Sequence, residues 1–87
     1  MSEVKASDPN DRLAEVVRAR RRQLSLRQAE LADLAGVSER FVYALEHGKL
    51  SVQLDKTLAV LEALGLHLEL HRGSARRIEA DADLRTR

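Results

Sequence analysis

Gln28-Ala29-Glu30-Leu31-Ala32-Asp33-Leu34-Ala35-Gly36-Val37-Ser38-Glu39-Arg40-Phe41-Val42-Tyr43-Ala44-Leu45-Glu46 is the stretch whose reading decides the fold of this chain of 87 residues. It reads as two short helices that meet at a sharp turn. Ala32 is small where the helices come closest. Gly36 falls where the first helix must end, at a position that favours positive φ. Val37 follows at once, and Val42 and Leu45 then repeat at helical spacing toward one core. The caps agree with this. Ser25 stands three residues before Gln28, the spacing of a capping box, and Ser38 is placed to cap the second helix with Glu39 near its positive end.

A small residue at 32, glycine at 36 and apolar residues at 37, 42 and 45 together form the pattern of a helix-turn-helix, whose second helix enters a DNA major groove. The alternative, an αα-hairpin used for packing alone, has no need of that turn at that spacing.

Outward from this centre the period stays helical. Asp8-Pro9-Asn10-Asp11 reads as a helix start, with Asp8 as cap and proline at the first helical position. Leu13, Val16, Val17, Arg20 and Leu24 share a face of a helix over 9–23. The second helix is expected over 26–34 and the third over 39–47, stopped by Gly48. Ser51 is placed to cap a fourth over 52–64, whose Leu54, Leu58, Leu61 and Leu64 form a stripe ended by Gly65. The pattern then changes. Leu66, Leu68 and Leu70 alternate with His67, Glu69 and His71, as in a half-buried strand. Nothing else in the chain reads as a strand, so its partner is expected from a second copy, giving a two-stranded antiparallel ribbon and a C₂ dimer through Leu66, Leu68 and Leu70. A continuation of the fourth helix is the alternative, opposed by Gly65. The expected organisation is a flexible N-terminus (1–7), an all-α helix-turn-helix domain of four to five helices with its dimerisation strand at 66–72 (8–72), and a flexible charged tail (73–87) that only Ile78 and Leu84 could anchor.

Composition narrows the function classes. The chain has no cysteine, so a disulfide framework and thiolate metal sites are excluded. No apolar run approaches membrane-spanning length and residues 1–10 lack a signal-like stretch, which points to the cytoplasm. A net charge of +1 is modest for a nucleic-acid binder. Its distribution matters more: Arg18, Arg20, Arg21 and Arg22 lie together, while Glu79, Asp81 and Asp83 gather near the C-terminus. With no glycine-rich phosphate loop and no recognisable triad, an enzyme is not expected. His67, Glu69 and His71 would share a strand face where zinc is conceivable, but such residues are more often the wet face of the strand, and no metal or cofactor is expected.

Leu26-Arg27-Gln28-Ala29-Glu30-Leu31-Ala32, Ala35-Gly36-Val37-Ser38, Leu45-Glu46-His47-Gly48-Lys49 and Leu61-Glu62-Ala63-Leu64-Gly65-Leu66 resemble the phage-repressor/Cro-type (XRE) helix-turn-helix family over about residues 10–72. The strand-like segment that follows is similar to that of HipB-like antitoxins, where it pairs between subunits. The resemblance implies a lambda-repressor-like fold. It implies base-reading positions at Glu39, Arg40 and Ala44, a phosphate contact at Gln28, and an ion pair between Arg21 and Glu46 that is structural.

The residues themselves fit duplex DNA. Arg40 can grip guanine through two hydrogen bonds, Glu39 can accept from the cytosine amino group, and Tyr43 offers a ring to a thymine methyl and a hydroxyl to phosphate. Ala44 cannot donate, so readout there is apolar or absent. Phe41 is a groove contact or a partner contact. Arg27, Lys49 and the amides near Gln28 and Ser38 suit phosphate. A solvated helix face is the plain alternative for Glu39 and Arg40. The leading expectation is a dimeric repressor on an inverted-repeat operator, the antitoxin of a HipBA-like pair that binds a HipA-like serine/threonine kinase and regulates its own operon. A free-standing regulator and a protein-interaction module without DNA binding are the alternatives.

Overall fold

The computed structural model describes residues 9–49, 51–74 and 76–84. The expected flexible segment 1–7 and the Asp8 cap lie outside the described residues. Four helices follow one another: α1 (Pro9–Gln23), α2 (Gln28–Ala35), α3 (Glu39–Glu46) and α4 (Leu54–Ala63). Among the described residues none is a strand.

All four helices stop in the same way. The backbone reverses through a left-handed residue, and two amides beyond the helix bond back to its last free carbonyls. After α2, Gly36 (φ 73°) donates to Asp33 O at 3.3 Å and Val37 to Ala32 O at 3.0 Å. After α4, Gly65 (φ 75°) donates to Glu62 O at 3.0 Å and Leu66 to Leu61 O at 2.8 Å. Gly48 and Lys49 repeat the pattern after α3. After α1 the left-handed residue is not glycine but Ser25 (φ 58°), with Leu26 N reaching Arg21 O at 3.1 Å. Leu26, Val37 and Leu66, the residues just past three of these reversals, pack against the core. Those three stops redirect the chain inward, whereas Lys49, just past the fourth, is exposed.

Two caps differ from expectation. Ser25 is spent on the reversal, so α2 begins at Gln28 with Arg27 as its N-cap, and the Glu30 carboxylate accepts from the Arg27 amide at 2.8 Å. A guanidinium has no acceptor, so the reciprocal half of the capping box is missing. Ser51 does not cap α4, because Val52 packs on the core and Gln53 takes the cap position without a side-chain bond. The expected starts at 26 and 52 therefore move inward to Gln28 and Leu54. Ser38 behaves as read, with its hydroxyl accepting from Phe41 N at 3.0 Å.

The core is Val17 from α1, Leu31 and Ala32 from α2, Val42 and Leu45 from α3, and Val60, Leu61 and Leu64 from α4 and its end. Helix α2 packs on both α3 and α4, and α1 packs on α3. Leu24, expected on the inner face of α1, is exposed. Residues 66–72 take neither helix nor strand form, so the alternative of a longer α4 fails at Gly65 and the strand itself is not formed within one chain. Leu66 is drawn into the core, while Leu68 is exposed and Leu70 is 98% exposed.

The tail departs from the unstructured segment expected after residue 73. A 3-10 turn at Ala82–Leu84 sits on α1, with Leu84 only 7% exposed and Gln23 Nε2 donating to Asp83 O at 2.7 Å. The anchor is one of the two residues singled out from sequence, and Ile78 is half-buried. Val16 of α1 is buried yet stands outside the central core.

Candidate nucleic-acid interface

Helix α3 divides cleanly. Val42, Leu45 and Glu46 face inward, while Glu39, Arg40 and Tyr43 are exposed and Ala44 is half-buried beside them. Tyr43 is 54% exposed, large for an aromatic ring that serves packing alone. Arg27 and Lys49, flanking the starts and stops of α2 and α3, are also exposed, and so is Ser38 at the head of α3. Phe41 differs from the reading of a groove or partner contact. Its ring is half-buried and packs against the core, because α3 turns position 41 toward the same side as Val37 and Leu45.

The inner end of α3 holds a polar network. Glu46 is 1% exposed. Its carboxylate accepts from Arg21 Nε at 2.6 Å, Arg21 Nη2 at 2.9 Å and Gln28 Nε2 at 3.1 Å. Arg21 Nη1 also donates to Leu26 O at 3.0 Å, and Arg18 donates to the Glu46 carbonyl. The fork of the guanidinium thus fastens α1 to the end of α3 and to the α1–α2 link. Its hydrogen bonds to Glu46 raise the Arg21 pKa above the usual arginine value, against the opposing effect of burial. The Arg21–Glu46 pair read from family pattern is present. Gln28, assigned to phosphate, spends one of its two amide hydrogens on Glu46.

Two further contacts had no sequence reading, and a third joins the residues read as the wet face of a strand. Arg20 Nε donates to Leu64 O at 2.9 Å and caps the end of α4. Tyr43 and His47 stack with ring centroids 3.8 Å apart and 25° between planes, and His47 Nδ1 lies 2.7 Å from Tyr43 O. Their separation by four residues on an exposed helix face was the available signal. Finally, His67 Nε2 and His71 Nε2 lie 2.9 and 3.2 Å from the two oxygens of Glu69. Bonds from His67 and then His71 hold the Glu69 carboxyl below the usual carboxylate range. Among the described residues no group of side chains is arranged to hold a metal ion, and no helix is long and apolar enough to cross a membrane.

An exposed polar edge on the second of two helices joined through a left-handed glycine defines a helix-turn-helix module. The sequence model of the helix-turn-helix family matches residues 17–71, and the chain belongs to that family of DNA-binding transcription regulators. It is 46% identical over 55 residues, 63% of this chain and 72% of the other, to the uncharacterized HTH-type transcriptional regulator y4mF of Sinorhizobium fredii. The DNA-binding domain of the P22 C2 repressor is similar at a TM-score of 0.56 and 33% identity, over 62% of this chain and 71% of that one. A chain of the HipA-HipB-O2-O3 complex is similar at a TM-score of 0.68 and 20% identity, covering 85% of this chain and 100% of that one, a likeness of fold. A hydroxypropylphosphonic acid epoxidase from S. wedmorenis is similar at a TM-score of 0.60 and 27% identity over 71% of this chain, which spans 33% of that enzyme.

Proposed function

We propose that this chain is a homodimeric repressor that reads an inverted-repeat operator with α3, and that it acts in the cytoplasm as the antitoxin of a HipBA-like operon, binding a HipA-like serine/threonine kinase and regulating its own synthesis. The observation that carries DNA binding is the exposed row Glu39, Arg40, Tyr43 and Ala44 on a helix whose opposite side is locked by Glu46. A rigid helix with its polar edge outward is what major-groove reading needs. Arg40 and Glu39 are the base readers, Tyr43 and Ala44 lie beside them, and Arg27, Gln28, Ser38 and Lys49 hold phosphate.

Dimerisation is supported by the exposed Leu68 and Leu70 on a segment with no strand partner among the described residues. The same segment of a second copy supplies both the missing hydrogen bonds and an apolar cover. Leu66 contributes less than its neighbours, being committed to its own core. The antitoxin role is supported by the likeness over the full length of a chain in the HipA-HipB-O2-O3 complex. The relative named only as a transcriptional regulator, at 46% identity, favours a second reading without a toxin.

Footprinting on the DNA upstream of the gene tests the core of this reading. Two protected half-sites about one helical turn apart are expected, with Arg40→Ala losing about 1–3 kcal/mol of discrimination at one base pair per half-site. A single asymmetric footprint, or unaltered preference in Arg40→Ala, refutes it. A Leu68→Pro protein that still sediments as a full dimer refutes the ribbon.

A further inference from the structure

We propose that His47 is a phosphate contact of the DNA-binding face that works only as the imidazolium, so that duplex binding takes up a proton. This rests on the DNA-binding reading above. His47 Nδ1 lies 2.7 Å from the Tyr43 carbonyl oxygen, and its ring is stacked on the Tyr43 ring at 3.8 Å. A carbonyl only accepts, so Nδ1 carries a hydrogen in either charge state of the ring. That leaves Nε2 as the variable atom, a lone pair when the ring is neutral and an N–H donor when it is charged. A phosphate oxygen also only accepts. The neutral ring therefore turns a lone pair toward a negative oxygen, whereas the charged ring donates to it.

Placement favours phosphate as the partner. His47 follows α3 one turn beyond Tyr43 and continues the exposed edge of Arg40, Tyr43 and Ala44. Its neighbour Glu46 is bonded to Gln28, so the end of α3 adjoins the start of α2, and exposed Lys49 follows two residues on. The groove between His47 and α1 presents Asp11, Glu15, Arg18 and Arg22. Of these, Glu15 is paired with Arg12 at 2.8 Å and Arg18 is bound to the Glu46 carbonyl, while the Glu46 carboxylate is held by Arg21. None is a histidine, and His67 and His71 lie on another segment with Glu69 between them. A proton taken up at this face therefore goes to His47. A histidine that only caps the Tyr43 carbonyl affects the stability of α3 and leaves the pH dependence of DNA affinity untouched.

The test uses the full chain and a mixed-sequence duplex of two helical turns at low salt, because a phosphate contact is sequence-independent. Calorimetric titration in two buffers of different ionisation enthalpy reads proton uptake directly, and anisotropy from about pH 8 to about pH 6 reads affinity. The expected result is net uptake on binding and an association constant that rises by as much as about tenfold per pH unit for each bound His47. His47→Gln is expected to bind without uptake. His47→Lys is expected to bind tightly at all these pH values, since it keeps the cation without the titration. Wild-type binding without proton uptake overturns the proposal, as does uptake that persists in both variants. Failure of the wild type to bind any duplex at any pH instead overturns DNA binding itself, and His47 falls with it.

Discussion

Replacing Arg21 with alanine tests whether the Glu46 network holds α1, α2 and α3 together. In the native chain Glu46 is 1% exposed and accepts three hydrogen bonds, two of them from Arg21. Arg21→Ala leaves this carboxylate with only the Gln28 amide, and the Leu26 carbonyl loses its donor as well. Removing one member of a buried pair costs about 3–5 kcal/mol, because the remaining charge stays out of water without its counterpart. A chain of this size has a total stability of about 4–13 kcal/mol, so the loss is a large share of it. At about 4–8 °C per kcal/mol, the melting temperature should fall by at least about 12 °C. Arg21→Met combined with Glu46→Leu removes both charges and should recover most of the loss, since apolar replacement of a whole pair is often neutral. Circular dichroism melts and urea titrations of the single and double variants measure both effects. A shift in Arg21→Ala below about 4 °C, or a double variant no more stable than the single, refutes the reasoning.

Ser25 bears a left-handed φ of 58° that its counterparts Gly36, Gly48 and Gly65 adopt freely, so Ser25→Gly should stabilise the fold. Relief of about 1–2 kcal/mol of strain, less the greater entropy of unfolded glycine, predicts a gain of up to about 1 kcal/mol in urea titrations. Leu84→Ala should cost about 1–2 kcal/mol by loss of burial on α1 and expose the tail to limited proteolysis, with DNA affinity unchanged by filter binding. The Glu30 carboxyl is held below its usual range chiefly by the Arg27 amide. A depressed folded pKa gives stability that is present above the ordinary carboxylate range and lost as pH falls through the folded value. Glu30→Ala should therefore melt below wild type at neutral pH, with the gap closing in acid.

The four helices were legible because their stops are local. A glycine followed by an apolar residue fixes both the reversal and the direction of the next segment, and Gly36-Val37 and Gly65-Leu66 did this in the sequence as in the fold. Helix starts were less legible, since serine suits a cap and also tolerates other turns. Ser25 was drawn to the end of α1 rather than the start of α2. The outward edge of α3 followed from periodicity, and the i, i+4 spacing of Phe41 and Leu45 also carried the inward turn of the Phe41 ring, although that ring was read as a surface contact. The seat of Leu84 is a contact between the tail and α1, across some sixty positions of sequence, and no local pattern encodes such a distance.

The arginine cluster of α1 shows why charge density was a poor guide to the DNA face. Arg18 is tied to the Glu46 carbonyl, Arg20 to the Leu64 carbonyl and Arg21 to the Glu46 carboxylate, so only Arg22 of the four is exposed. Arg18 and Arg20 fasten helix ends, where free carbonyls concentrate negative charge, and Arg21 neutralises a buried carboxylate. The cations left at the proposed face are Arg27, Lys49 and, in the charged form, His47, with Arg40 kept for bases. Two or three phosphate contacts per protomer, doubled in a dimer, predict that log K falls against log salt with a slope of about −4 to −5. If the α1 arginines instead lay on DNA, the slope would steepen to about −9 or beyond. Operator titrations across salt concentrations at fixed pH separate the two arrangements. A slope in the steeper range would mean that Arg18, Arg20 and Arg21 leave their partners within the fold when DNA binds. The network that fixes α3 would then be a feature of the free protein alone.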